Sequence, residues 1–215
     1  MSGKIAYLYV LDTLADWEPG HLTAELNSGR YFAAAGERIP VRTVGVTAAP
    51  VTTKGGLRLI PDTTLDAITP GESAVLILPG GDTWLEPVHD PALAKAADFL
   101  AAGVPVAAIC GATMALANAG MLDERPHTSN NLGALQAMCH GYAGAEHFVD
   151  APAVADGDLV TASGMAPLEF AKEVLARLAV FAPATLDAWF RLNANREEAA
   201  YFDLMNSLPR SAGAA

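Results

Sequence analysis

Basic residues are scarce in this chain, which has 13 Lys and Arg against 24 Asp and Glu and a formal net charge of −11 over 215 residues. No Lys/Arg stripe reverses that charge locally, so a phosphate backbone is repelled and nucleic acid is excluded as an expected partner. Cysteine is nearly absent, with Cys110 and Cys139 alone. Two thiols make no disulfide framework, and Cys139 falls in a helix-like stretch, so no structural bridge is expected and Cys139 reads as core or surface filler. Apolar runs of membrane length are lacking. The first run, 5–11, is too short to span a bilayer and has no signal-peptide cleavage region, so a cytoplasmic protein with no membrane partner is expected. Repeats, low-complexity linkers and composition shifts are missing as well. One domain over 1–215 is therefore expected, with a C-terminal helical segment at about 184–208 and a fraying tail at 211–215. His21, His89, His140 and His147 stand apart without ligand spacing, so they read as surface or structural residues, and neither a metal nor a cofactor is expected.

What is abundant is apolar: 52% hydrophobic residues and a mean hydropathy of +0.26 call for a large core or an apolar subunit interface. Runs at 5–11, 41–47, 74–78 and 104–109 are rich in Val, Ile and Leu and little interrupted by charge, as buried parallel strands are. Helical patterns at about 19–34, 91–102 and 112–119 lie between them. The alternation predicts an α/β fold, a three-layer α/β/α sandwich around a doubly wound, mostly parallel sheet. Asp156-Gly157, between two short apolar runs, signals an antiparallel hairpin near one edge, and a helix from about 166 to 180 follows.

The sharpest local feature is Cys110, where the run Pro105-Val-Ala-Ala-Ile-Cys110 breaks into Gly111-Ala112-Thr113-Met-Ala-Leu-Ala. A residue at such a strand-to-helix turn sits on a nucleophile elbow. Ala108 and Ala112 are small enough to allow the sharp reversal, and Gly111 permits close backbone approach. The helix N-terminus favours thiolate, and comparable cysteines have pKa values of roughly 3.5 to 7.5. The competing reading is a small hydrophobe packed in the core.

Groups at the carboxyl ends of neighbouring strands converge in this architecture, so three further segments belong near Cys110. In Asp12-Thr-Leu-Ala-Asp16-Trp17-Glu18-Pro19, Glu18 is the carboxyl best placed to reach sulfur. Burial and like charge would keep it protonated and able to donate to the thiolate. Compensation of the following helix's dipole explains an acidic residue there equally well. Asp16 reads as a cap or a solvated charge. After the third central run, Leu78-Pro79-Gly80-Gly81-Asp82 supplies two glycines whose N–H groups, with that of Gly111, form a candidate anion or oxyanion hole. Finally, His127-Thr128-Ser129-Asn130 reads as a short strand with His127 and Ser129 on one face and Thr128 and Asn130 on the other. His127 is the candidate imidazole of a Cys-His dyad.

Together, Leu78-Pro-Gly-Gly81, Ala107-Ala-Ile-Cys110-Gly-Ala112, the Glu18 segment and Asp156-Gly-Asp-Leu-Val-Thr-Ala-Ser163-Gly164 resemble the ThiJ/PfpI superfamily over nearly the whole chain. The resemblance implies a flavodoxin-like, class I glutamine amidotransferase-like fold, with Cys110 as the reactive sulfur, Glu18 as its carboxyl partner, Asn130 and Ser163 lining the pocket, and a homodimer. That superfamily spans intracellular proteases and amidases, glyoxalases and deglycases, isocyanide hydratases and stress-response proteins with an oxidation-prone cysteine. Protease-like members carry His directly after the nucleophile, where this chain has Gly111. The register also places Asn130 where other members supply a histidine, and Asn is no base near neutral pH. The expected function is therefore a stress-response protein whose Cys110 is oxidised to sulfinic acid, its partner a small-molecule oxidant or electrophile. The alternatives are a cysteine-dependent hydrolase or lyase of glyoxalase, deglycase, amidase or protease type, and a non-catalytic binding protein on the same fold.

Overall fold

The computed structural model describes residues 3–209; the tail expected to fray lies outside them. Its centre is a seven-stranded sheet built from β1 (Ile5–Tyr9), β2 (Val41–Gly45), β5 (Thr63–Thr64), β6 (Ser73–Leu78), β7 (Val106–Ile109), β8 (Ala153–Asp156) and β9 (Leu159–Ala162), in the order β5-β2-β1-β6-β7-β9-β8. All neighbours run parallel except the β8–β9 hairpin at one edge, which turns at Gly157 with φ 57°. The sequence explains which strands are central. Every residue of β6 and β7 is buried, whereas β2 exposes Arg42 between the partly buried Val41 and Thr43. A strand covered on both faces reads as an unbroken apolar run.

From β1 the chain steps outward to β2 and β5, then returns to β6 and steps the other way to β7 and β9. Right-handed crossovers in opposite directions send α1 (Gly20–Ser28) and α2 (Asp90–Ala101) to opposite faces. The junction of β1 and β6 is thus the switch point, and a crevice opens outside the carboxyl ends of the strands there. Helix α3 (Gly111–Asn118) leaves β7 at that same end, while α5 (Pro167–Leu178) follows β9 and packs beside α1.

Several boundaries differ from expectation. Helix α1 stops at Ser28 rather than reaching 34, because Gly29 takes a left-handed φ of 62° and its N–H closes on the Glu25 carbonyl. The C-terminal segment is broken. Helix α6 (Pro183–Phe190) passes into a π-helical turn (Arg191–Asn195), reverses at Arg196 with φ 59°, and resumes as α7 (Ala199–Ser207). Arg191 binds Asp187, Glu197 and Asp203, so one guanidinium fastens α7 back on α6. A small antiparallel ribbon, β3 (Val51–Thr52) with β4 (Arg58–Leu59), has no counterpart in the hydrophobic pattern because neither strand is long enough to alternate.

Candidate active site

Cys110 stands between β7 and α3 with φ 60° and ψ −125°, a conformation costly for a residue with a side chain. Its N–H is held by the Ala162 carbonyl of β9 at 3.0 Å, and Ala108 and Ala112 on either side are fully buried. The side chain is half-buried and turned toward the crevice, where three segments meet it.

The first is the turn before α1. Glu18 is fully buried, and its Oε2 accepts the Gly80 N–H at 2.5 Å. Its Oε1 receives no N–H or O–H among the described residues and has the Cys110 thiol beside it. Burial raises the Glu18 pKa, with the Gly80 N–H, Cys110 and the Lys54 charge acting in the opposite direction. The carboxyl faces Gly80 and sulfur rather than the first turn of α1, so dipole compensation does not describe it. Asp16, expected to cap or be solvated, instead accepts Thr53 Oγ1 at 2.6 Å and the Gly55 N–H at 2.7 Å, tying the β3–β4 ribbon to this turn.

The second segment follows β6. Gly80, expected to lend its N–H to an anion, gives it to Glu18, which removes it from the proposed oxyanion hole. A Cβ at Gly80 would lie 2.6 and 2.7 Å from the two Glu18 oxygens and 2.8 Å from the Cys110 Cβ, so glycine is what lets thiol and carboxyl meet. Gly81 lies against Gly111; a Cβ on Gly111 would stand 2.6 Å from the Gly81 carbonyl oxygen and 3.4 Å from its nitrogen.

The third segment corrects the histidine. His127 is fully buried, with Nδ1 2.8 Å from the Arg125 carbonyl and Nε2 2.7 Å from the Tyr142 hydroxyl. Its ring is edge-on to Tyr142 and Phe148. Both nitrogens are used in the core, burial lowers its pKa, and it is no partner for Cys110. The expected strand is reduced to an isolated bridge between His127 and Phe148. Asn130 reaches the sulfur instead, Nδ2 to Sγ at 3.3 Å. Its Oδ1 accepts the Gly164 N–H at 2.8 Å and the Ser163 hydroxyl at 3.4 Å, which fixes which end of the amide faces sulfur. Asn130 reaches the turn after β9 through Gly164, while Thr128 turns its hydroxyl to the Ala151 carbonyl and gives its N–H to Thr161 Oγ1.

Sequence reasoning missed the part played by Gly164. A Cβ there would fall 2.8 Å from Sγ and 3.0 Å from Glu18 Oε1, so both atoms border the same small space. The Ser-Gly pair after a predicted strand was the available signal. It also missed Lys54, whose Nζ lies 2.6 Å from each Asp82 oxygen.

The thiol differs electrostatically from the expected low-pKa elbow. Burial raises the Cys110 pKa; Asn130 lowers it, the Glu18 charge and hydrogen bond raise it, and the Gly111 N–H lowers it. Cys110 and Glu18 are each pushed toward the protonated form, and like charge opposes ionising both. The pair therefore titrates together and retains one proton after the first has left.

A cavity of about 240 Å³ lies beside this crevice, lined by Tyr9, Asp12, Thr83, Glu86 and His89 among others. Its histidine is committed to Tyr9 OH at 2.8 Å and Thr83 Oγ1 at 2.9 Å, a structural role as expected from sequence. Among the described residues no His, Cys, Asp and Glu group of three or more is arranged to hold a metal ion, and no helix is long and apolar enough to cross a membrane.

The mostly parallel sheet with helices on both faces is the flavodoxin-like α/β sandwich of the solved ThiJ/PfpI structures. The chain belongs to the DJ-1/PfpI family, whose profile matches residues 4–177. It is 50% identical over 210 residues to YoaZ of Bacillus subtilis, an uncharacterized protease by name, covering 98% of this chain and 100% of that one. It is 36% identical over 112 residues to the deglycase PH1704 of Pyrococcus horikoshii, covering 52% of this chain and 65% of the relative. The crystal structure of a thiJ/pfpI family protein from Bacillus anthracis superposes with a TM-score of 0.93 at 51% identity, covering 97% of this chain and 98% of that one. The C-terminal helices α6 and α7 lie beyond the matched family region.

Proposed function

We propose that the chain is a cysteine-dependent hydrolase or lyase for a small electrophile, with Cys110 as nucleophile and Glu18 as proton carrier. One observation carries the reading: Glu18 Oε1 is buried, receives no N–H or O–H among the described residues, and borders the same space as the Cys110 sulfur. A buried carboxyl whose free oxygen faces a thiol is placed to exchange a proton with it. In the singly protonated pair, the thiol proton passes to Glu18 as Sγ bonds to the carbonyl carbon. The carbonyl π electrons move to oxygen, and the Gly81 and Gly111 N–H groups receive the oxyanion. With an acyl substrate the adduct expels its leaving group, which takes the proton back from Glu18, and water then releases the acid from the thioester. Names of relatives, a protease and a deglycase, support chemistry of this kind.

Oxidation of Cys110 to sulfinic acid, the reading preferred from sequence, is the second. It is favoured by the donors that gather at sulfur, the Asn130 amide and the Gly111 N–H, which with protonated Glu18 suit sulfinate oxygens. The raised thiol pKa slows both readings alike, because peroxide and a carbonyl carbon are each attacked by thiolate. Turnover of small aldehydes, esters and amides by the protein and by its Cys110→Ser variant tests the first reading. Equal activity in both overturns it. Uptake of two oxygens at Cys110 under mild peroxide, without turnover of any electrophile, gives the second reading instead.

A further inference from the structure

We propose that Lys54 receives a carboxylate of the substrate, so that the electrophile taken by Cys110 is anionic. This rests on the reading of Cys110 as the reactive sulfur.

The crevice is a place of negative charge in an acidic chain. Glu18 borders it, Asp12 and Asp16 on the same loop are bonded to the β3–β4 ribbon, and Asp82 follows Gly81. Among the described residues Lys54 is the one Lys or Arg whose charge acts on Glu18. It is also placed with care. Lys54 lies in the turn of the β3–β4 ribbon, whose two-residue strands are too short to be stable alone. The ribbon is pinned to the loop leading to Glu18. Asp12 Oδ1 accepts the Thr52 N–H at 2.7 Å, the Thr13 N–H meets the Thr52 carbonyl at 2.8 Å, and the Lys54 N–H itself meets the Leu14 carbonyl at 2.9 Å. Asp16 holds Thr53 and Gly55 on either side of Lys54. The loop that carries the carboxyl of the reactive pair therefore also fixes the backbone beneath the ammonium.

What the ammonium holds indicates its ligand. Nζ lies 2.6 Å from both oxygens of Asp82, a carboxylate two residues beyond Gly80 whose side chain is 64% exposed. A pair that exposed is weakly held against water and salt. Asp82 thus stands in for a carboxylate that an incoming ligand can replace. A small 2-oxo acid or aldehyde acid fits this description.

Two alkylating probes of nearly the same size isolate the charge. Iodoacetate and iodoacetamide each lose iodide as the Cys110 thiolate forms a new S–C bond, and only the first carries a carboxylate. The ratio of their rates at Cys110, measured by peptide mass, cancels any change in the sulfur's own nucleophilicity. Lys54→Met is expected to lower the iodoacetate-to-iodoacetamide ratio by about three- to tenfold, an effect that shrinks in high salt. Lys54→Arg should retain the ratio, and Asp82→Asn, which frees the ammonium, should raise it. An unchanged ratio in Lys54→Met, or a fall in Asp82→Asn, overturns the assignment of Lys54 while leaving Cys110 as nucleophile intact. If neither probe labels Cys110 ahead of Cys139, the reactive-sulfur reading fails and the inference falls with it.

Discussion

The two thiols of this chain differ less in burial than in company. Cys139 closes α4 (Leu132–Met138), is 2% exposed, and points its S–H at the Met114 carbonyl at 3.3 Å. Cys110 is also pushed toward the protonated form by burial, as Cys139 is. Around Cys139 burial and the Met114 carbonyl both favour the neutral thiol. Around Cys110 burial is opposed by the Asn130 amide and the Gly111 N–H and coupled to the buried Glu18 carboxyl. A buried thiol becomes a reactive one when its environment offers both a place for its proton and donors for its charge.

Replacing the sulfurs gives the largest expected contrast. Cys110→Ser should lower turnover of any cysteine-dependent substrate by about a thousandfold or more, while Cys139→Ala leaves it nearly unchanged and costs only stability. Equal losses in the two variants would dissolve the distinction. Next comes Gly164→Ala, which puts a methyl group between Sγ and Glu18 Oε1. The expectation is a loss of about a hundredfold in kcat/KM with a stability cost of about 1–3 kcal/mol. Unaltered kinetics would show that the two atoms do not work across that space.

Smaller effects sharpen the comparison. Asn130→Ala removes a bond that lowers the Cys110 pKa. Alkylation of Cys110 by iodoacetamide near neutral pH should slow by about three- to tenfold, its pH midpoint moving upward, with Cys139 unaffected. A downward shift of the midpoint would contradict the role given to the amide. Glu18→Gln is the most modest. Because burial raises the Glu18 pKa above its ordinary 4.5, the folded protein binds more protons than the unfolded chain over the interval above that value. Stability contributed by the protonated group is present at low pH and is lost as pH rises through the raised pKa. Glutamine can keep an acceptor for the Gly80 N–H without that loss. The variant should therefore gain about 1–2 kcal/mol over the parent at pH 7.5 and much less at pH 4.5, read as the difference in Tm. A larger gain at the acid end would reverse the sign of the argument.

Much of this contrast was legible before any coordinates. Apolar runs marked the central strands because β6 and β7 are buried on both faces. The elbow was readable because a long apolar strand gives way at Cys110-Gly111 to a helix of small residues. The boundaries of α1 and of the C-terminal helices were harder. Gly29 ends the first through a left-handed turn, and the second is folded back by Arg191 gathering carboxylates from three places in the sequence. Neither the β3–β4 ribbon nor the position of Lys54 leaves a periodic signal.

The histidine shows why the site was only partly readable. Order along the chain put His127 near the thiol, and alternation put Asn130 on the opposite face from it. Which face met sulfur depended on Tyr142 and Arg125, which take both imidazole nitrogens, and on the Gly164 N–H, which orients the amide. Local pattern thus determined a parallel sheet and a cysteine at the turn leaving its fourth long strand, because side-chain period and chain reversal are properties of neighbouring residues. Tertiary structure decided that this cysteine's pKa is raised, that Gly80 serves Glu18, and that an amide stands where an imidazole was expected. Desolvation and hydrogen-bond partners come from segments remote in sequence, and their effect on a charge depends on distances that no spacing along the chain contains.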